Sequence, residues 1–301
     1  MHKVLVLDAN QRSALAIIRS LGRHGLLVIA GDHVPAPLGA ASRYATASVI
    51  YPDPARSSSA FFTEIMTVVQ RLEVDTVVPA TDLTTMALAS QSTPSQSVRL
   101  ACPRAESYDA LTDKAALFEL AGKLGLAVPE TRIARTAAQI EEAARDLGQP
   151  VVLKPARSRY LKDGRIVSTA VEIVRSPNRL TETIERLNWL GDIPCLVQRF
   201  IPGYGAGVFA LHGSEGPIAW FAHRRIREKP PTGGVSVLCE SVGIDSVMQS
   251  AAAKLLSAVN WVGVAMVEFR VAQDGTPYLM EVNGRFWGSL QLSIDCGIDF
   301  P

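Results

Sequence analysis

The sequence has only four cysteines, Cys102, Cys195, Cys239 and Cys296, far apart and without paired metal-ligand spacing. A thiol-held metal is thereby disfavoured and reduced thiols are expected. A surplus of one charge is also lacking: 30 Lys and Arg against 29 Asp and Glu leave a net charge of +1. That excludes a broad basic surface of the kind nucleic-acid binders use. No apolar run reaches the roughly 20 residues that cross a bilayer. The opening Met1-His2-Lys3-Val4-Leu5-Val6-Leu7-Asp8 lacks a signal-peptide core. A cytoplasmic protein with no nucleic-acid or membrane partner is expected. The five histidines (His2, His24, His33, His212, His223) show no metal spacing, and no Ser–His–Asp set appears. Only His223, beside Arg224 and Arg225, stands next to concentrated charge. Glycine is missing from the first turn, Asp8-Ala9-Asn10-Gln11-Arg12-Ser13. A dinucleotide-dependent oxidoreductase needs Gly-x-Gly-x-x-Gly there, so that backbone can approach the pyrophosphate.

What is present is apolar patterning: 48% of the 301 residues are hydrophobic, enough for two or three packed units. Residues 4–7, 26–30, 75–79 and 99–102 read as strands, with helices over 13–24, 61–72 and 84–90 between them. Alternating strands and helices predict a parallel α/β sheet. Ligands of such sheets bind outside the C-terminal strand ends, here Asp8–Ser13 and Thr81-Asp82.

From Tyr108 the texture changes. Helices are predicted over 113–124, 136–147, 176–190 and 246–259, with an extended link at 128–131. Val151-Val152-Leu153 is a strand ending on Lys154-Pro155, followed by a charged loop from Arg157 to Arg165 with a turn at Asp163-Gly164. Further strands are expected at 170–174 and 195–201, and antiparallel partners at 207–212 and 218–225. Pro230 to Gly234 reads as a loop.

Near the C-terminus two strands, Val264–Val271 and Pro277–Asn283, flank Gln273-Asp274-Gly275-Thr276. Asp-Gly readily takes the positive φ of a tight hairpin turn. With Asp274 and Gly275 at the tip, Glu268 falls opposite Glu281, and Ala272 opposite Pro277. Like charges directly opposite destabilise a sheet, so the pair asks for a cation. Asn283 shares a face with Glu281. A Glu, Glu, Asn oxygen set suits Mg²⁺, which is usually held by one or two carboxylates plus substrate phosphates. Without such an ion, the acids should sit close with raised pKa values, or with a lysine or arginine in its place. Two solvated surface glutamates are the competing interpretation.

Five blocks carry a resemblance: Asp113-Lys114, Pro150–Pro155, Val197–Gly203, Val267–Phe269 and Met280–Arg285. In this order and spacing they resemble the ATP-grasp superfamily, most closely carboxylate–amine ligases with a carbamoyl-phosphate-synthase-like ATP-grasp domain. The run Arg12–Gly22 and the run Glu281–Ser289 resemble bacterial predicted ATP-grasp ligases, some linked to polysaccharide biosynthesis. The resemblance implies an N-terminal parallel α/β pre-ATP-grasp domain (1–108), followed by an ATP-grasp domain (109–301) of two α+β subdomains. These would be a lid over about 126–197 and a metal-binding subdomain over about 198–301. Because the chain stops directly after the helix cap Gly297, at Phe300-Pro301, that last subdomain is expected to be truncated.

The resemblance also implies roles. Lys114 and Lys154 would contact ATP phosphates, and Gln198, Arg199, Phe200 and Ile201 would form a hinge strand whose backbone reads the adenine edge. Glu268, Glu281 and Asn283 would hold Mg²⁺, or Mn²⁺ in its place, and Arg285 with Asn283 would serve the transferred phosphoryl group. Arg225, with Arg227 and Lys229, would add positive charge; a solvated basic strand end competes with that role. The implied partners are a small-molecule carboxylate and an amine, with a homodimer as the candidate assembly. ATP would convert the acid to an acyl phosphate for attack by the amine; a non-catalytic nucleotide-binding module is the alternative. The sequence departs from the family twice. The loop after Lys154 has one glycine, leaving Arg157, Ser158, Arg159 or Lys162 to grip phosphate. Gly203-Tyr204-Gly205-Ala206-Gly207 lacks the acid that often holds the ribose.

Overall fold

The computed structural model describes residues 2–91, 98–163, 165–231 and 234–301. Gly164 of the expected turn, and Thr232 and Gly233 of the expected loop, lie outside the described residues.

The N-terminal unit runs β1 (Lys3–Val6), α1 (Arg12–Arg23), β2 (Leu27–Asp32), β3 (Ala45–Ile50), α2 (Ser58–Leu72), β4 (Thr76–Val78), α3 (Asp82–Ala89), β5 (Arg99–Leu100). Its strands form a parallel sheet in the order β3-β2-β1-β4-β5. α1 buries Ala14, Ile17, Ile18 and Leu21, the three-and-four spacing of one helix face, and Gly25 at φ +82° ends it. The sheet is the expected parallel α/β one. β3 was not anticipated, because Ala45-Thr46-Ala47-Ser48 carries little of a strand's apolar pattern.

Two short helices follow, α4 (Ala105–Thr112) and α5 (Lys114–Lys123). Asp113 caps α5, accepting the N–H groups of Ala115 and Ala116 at 2.9 and 3.2 Å. The cap fixes Lys114 as the first helical residue.

The second sheet, β10-β7-β11-β6, is antiparallel. It comprises β6 (Thr131–Ala134), β7 (Val151–Pro155), β10 (Glu172–Val174) and β11 (Cys195–Arg199), with α6 (Ala137–Leu147) and α7 (Leu180–Glu185) against it. The predicted charged loop is instead a hairpin of β8 (Arg159–Lys162) and β9 (Arg165–Ser168). Its Ile166 N–H bonds the Ala55 carbonyl of the N-terminal unit at 3.0 Å. The helix predicted over 176–190 is shorter, a 3₁₀ turn at Pro177–Arg179 and then α7.

The third sheet, β14-β13-β12-β15-β16, is antiparallel throughout. Its strands are β12 (Gly203–Gly213), β13 (Gly216–Lys229), β14 (Val235–Ser241), β15 (Gly263–Ala272) and β16 (Pro277–Asn283); α8 (Ser246–Ala258) and α9 (Leu290–Asp295) complete it. Alternation sorts its side chains. Val208, Ala265, Val267 and Phe269 pack on Leu255 and Leu256 of α8. On the other face, Phe209, Phe221 and Met266 pack with Trp287 against Ile17 and Ile18 of α1. Glu268 and Arg270 continue that second face beyond its apolar end, so the core runs directly into charge.

Candidate active site

Glu268 and Glu281 are register partners across β15 and β16, as are Val267 with Val282 and Met266 with Asn283. The turn differs from the expected one. Ala272 N–H bonds the Thr276 carbonyl at 2.9 Å, so Gln273, Asp274 and Gly275 form a three-residue tip with Gly275 at φ +87°. That tip moves Pro277 opposite Val271 rather than Ala272. A bulge after Glu268 then shifts the register back, because Phe269 pairs with Leu279 and leaves Met280 over. Two offsets cancel, and the acids still meet.

Each acid is held by cations. Glu268 Oε2 forms a short ion pair with Arg225, and its Oε1 accepts from Asn283 Nδ2 at 2.9 Å. Glu281 Oε2 lies 3.3 Å from Lys114 Nζ. Burial pushes the Glu268 carboxyl above its ordinary pKa, with Glu281 adding to the rise and Arg225 opposing it. Burial pushes Glu281 the same way, but Lys114 and Lys154 outweigh it and hold that carboxyl below its ordinary value. The expected lysine and arginine stand beside the facing acids, whereas the expected rise in pKa is found at Glu268 alone and is reversed at Glu281.

Lys114 is 3% exposed, and its Nζ also bonds Ser158 Oγ at 3.0 Å. Lys154, at the end of β7, is desolvated, which lowers its pKa from 10.5 to about 8. Its Nζ touches Met280 Sδ at 3.6 Å. A lysine so placed gains from any added anion. Arg285 Nη2 bonds Asn283 Oδ1 at 3.1 Å, and its Nε lies 3.2 Å from Asp82 Oδ1 at the start of α3. Thus Asp82, a strand-end residue of the N-terminal sheet, reaches the hairpin. A cavity between the units is lined by Asp82, Tyr108, Lys114, Arg159, Glu281 and Asn283.

The expected hinge strand ends two residues early. β11 stops at Arg199, so Phe200 and Ile201 lie beyond it. Gln198 is buried and donates to Thr131 Oγ1 at 3.0 Å, while Arg199 faces outward and pairs with Glu130 at 2.7 Å. The N–H groups of Arg199 and Phe200 already bond Glu130 and Pro150 carbonyls. Ile201 N–H has no acceptor among the described residues. Three of the four suggested phosphate grips are engaged: Arg157 with Asp109 and Asp113, Ser158 with Lys114, Lys162 with Asp192. Arg159 has no carboxylate partner among the described residues. Arg227 and Lys229 show no ion pair among the described residues either, whereas Arg225 is drawn inward.

Glu228 and Arg270 escaped the sequence reasoning. Arg270 Nη1 bonds Glu228 Oε2 at 3.0 Å, and Glu228 Oε1 lies 3.4 Å from Arg225. The alternation of Glu268 and Arg270 on one face was the available signal. The donor set suits a hard divalent cation, since two carboxylates meet on one rung with an amide beside them. As placed, Asn283 offers its NH₂ to the acids and its oxygen to Arg285.

Residues 193–301 match the family described as "ATP-grasp in the biosynthetic pathway with Ter operon". The chain is 29% identical over 188 residues to the carbamoyl phosphate synthase large chain of Archaeoglobus fulgidus, covering 60% of this chain and 17% of that one. It is 28% identical over 196 residues to N5-carboxyaminoimidazole ribonucleotide synthase of Synechococcus elongatus, covering 64% of this chain and 47% of the relative. The match therefore spans less than half of either curated relative. The biotin carboxylase of Campylobacter jejuni, solved as a β-γ-ATP complex, superposes with a TM-score of 0.77 at 19% identity, covering 99% of this chain and 68% of the carboxylase. The similarity to that ATP-grasp family thus lies in residues 193–301, while the parallel α/β unit and two antiparallel sheets give the whole chain the fold of the carboxylase.

Proposed function

We propose that the chain is an ATP- and Mg²⁺-dependent ligase that activates a carboxylate as an acyl phosphate and joins it to an amine or similar nucleophile. One observation carries this: Glu268 and Glu281 face each other on one rung, with Lys114 and Lys154 beside them. In phosphoryl transfer, positioning and charge neutralisation do most of the catalysis, and these are the groups the cleft supplies.

Lys154 and Lys114 bind the polyphosphate as point charges, and Ser158 fixes the Lys114 ammonium. Glu268, Glu281 and Asn283 would hold Mg²⁺, which supplies charge neutralisation to the phosphates when bound. Arg285 is oriented by Asp82 and Asn283, and its guanidinium fork suits the transferred phosphoryl oxygens. Arg159 is free to meet the substrate carboxylate or a phosphate at the cavity wall. The Ile201 N–H beyond β11, which has no acceptor among the described residues, would read the adenine edge. In this reading residues 1–108 form the pre-ATP-grasp domain, about 126–197 the lid and about 198–301 the metal-binding subdomain.

A non-catalytic nucleotide binder is the second reading. It is favoured by the start of β12, where Gly203-Tyr204-Gly205-Ala206-Gly207 lacks the acid that the family resemblance implies for holding the ribose. Phosphate release from ATP, screened over acids and amines with hydroxylamine as the trap, separates the two. Release that needs an acid, together with hydroxamate formation, supports the ligase. Tight ATP binding without release under any substrate supports the second reading.

A further inference from the structure

The charged end of the third sheet holds an arrangement that positioning ATP does not require. β12 presents Gly205 and Gly207 to this face, the same face as Phe209. A Cβ on Gly205 would come within 2.7 Å of both Arg225 Cδ and Glu228 Oε1. The missing side chain opens a lane across β12. Through it Arg225 of β13 reaches past its neighbour strand to Glu268 of β15. Arg225 is largely buried, and its side chain is only 12% exposed. It has a second acid at hand: Nη1 lies 3.4 Å from Glu228 Oε1 and bonds the Gly234 carbonyl at 3.1 Å. Its Nε is buried with no hydrogen-bond partner among the described residues.

We infer that Arg225 is a built-in competitor for the divalent cation: it neutralises Glu268 and releases it to the metal only when nucleotide phosphates enter the cleft. This rests on the reading of Glu268 and Glu281 as metal ligands. A divalent ion between these acids must displace Arg225 from Glu268 and then lies close to its positive charge. Phosphate oxygens offset that repulsion and give the guanidinium fork a pair of oxygen acceptors. Glu228 receives the other side of the fork, so the displaced arginine is not left unpaired in a buried place. Metal and nucleotide then bind with positive coupling, which is reciprocal by linkage.

Manganese titration followed by electron paramagnetic resonance, with and without a non-hydrolysable ATP analogue, tests this without relying on turnover. In the native protein the analogue should tighten Mn²⁺ at least tenfold. Arg225→Gln should bind Mn²⁺ alone at least tenfold more tightly than the native protein, and the analogue's further effect should shrink. Gly205→Ala, which crowds Arg225 out of its lane and keeps every charge, should move Mn²⁺ affinity in the same direction and serves if Arg225→Gln does not fold. Mn²⁺ affinity that is unchanged or weaker in both variants overturns the inference. Glu281→Gln is the control for the underlying reading. If it binds Mn²⁺ as the native protein does, the metal assignment itself is wrong; if it loses Mn²⁺ while Arg225→Gln gains nothing, only the competition is wrong.

Discussion

Asp8 and Asp32 lie at the ends of adjacent parallel strands, and both are buried, at 7% and 2% exposure. Their partners are fixed. Asp8 Oδ2 accepts Ala80 N–H at 3.0 Å and the Thr84 hydroxyl at 2.5 Å; Asp32 accepts the Asn10 and Val34 N–H groups at 2.8 and 3.1 Å. Glu268 and Glu281 are also adjacent but less enclosed, with side chains 14% and 33% exposed, and long cationic side chains hold them. Backbone N–H groups and a short, buried threonine hydroxyl cannot move away, so the first pair is bound into the sheet. An arginine and a lysine can give way, so the second pair can exchange its partners for an ion and phosphates. The kind of donor, together with the depth of burial, separates an acid bound into the sheet from one that can change partners.

This contrast can be broken at several points. The largest effect is expected at Glu281→Gln, which should lower acid-dependent phosphate release from ATP by at least about a hundredfold, with a small change in the urea unfolding midpoint. Asp8→Ala should do the reverse. It orphans two buried donors and places alanine at φ +57°, so unfolding should show a loss of about 3 kcal/mol, with ATP affinity retained. Equal effects of the two variants on stability would erase the distinction.

His223 sharpens the boundary between apolar core and charged cleft. It is 2% exposed, and burial with Arg225 nearby lowers its pKa from 6.5 to about 4. Below pH 6.5 the unfolded imidazole takes a proton that the folded one refuses until about pH 4. Stability should therefore fall as pH drops through that window, by up to about 3 kcal/mol from this group. Denaturant titrations of native protein and His223→Gln at several pH values isolate it, since the variant should show the shallower slope. A subtler effect concerns Lys154, near pH 8 in the cleft. Polyphosphate should restore its charge, so ATP binding above pH 8 should take up a proton, visible by calorimetry in buffers of different ionisation enthalpy. The smallest effect is expected at Arg199→Ala, an exposed pair with Glu130, which should leave the unfolding midpoint unmoved.

Much of the fold was legible because periodicity is local. The parallel N-terminal sheet, α1, α6, α8 and the closing hairpin all follow from spacing and caps in the sequence. β3 and the β8–β9 hairpin were not, because β3 is rich in small polar residues and β8–β9 in charge. The Glu268–Glu281 pairing was reached although the turn is one residue longer than the Asp-Gly signal suggests. The Met280 bulge restores the register, and nothing in the local pattern announces it. Contacts between distant segments left no trace at all: Asp82 on Arg285, and Arg225 reaching Glu268 across β12, exist only once the sheets are stacked.

In the proposed function, the Glu268–Glu281 rung holds the divalent cation that accompanies nucleotide phosphates. Crystals grown with MnCl₂ and a non-hydrolysable ATP analogue would test it directly through an anomalous difference map. A manganese peak is expected between the two carboxylates, with analogue phosphates facing Lys114 and Lys154. A peak elsewhere, or analogue bound with Arg225 still seated on Glu268, would contradict it.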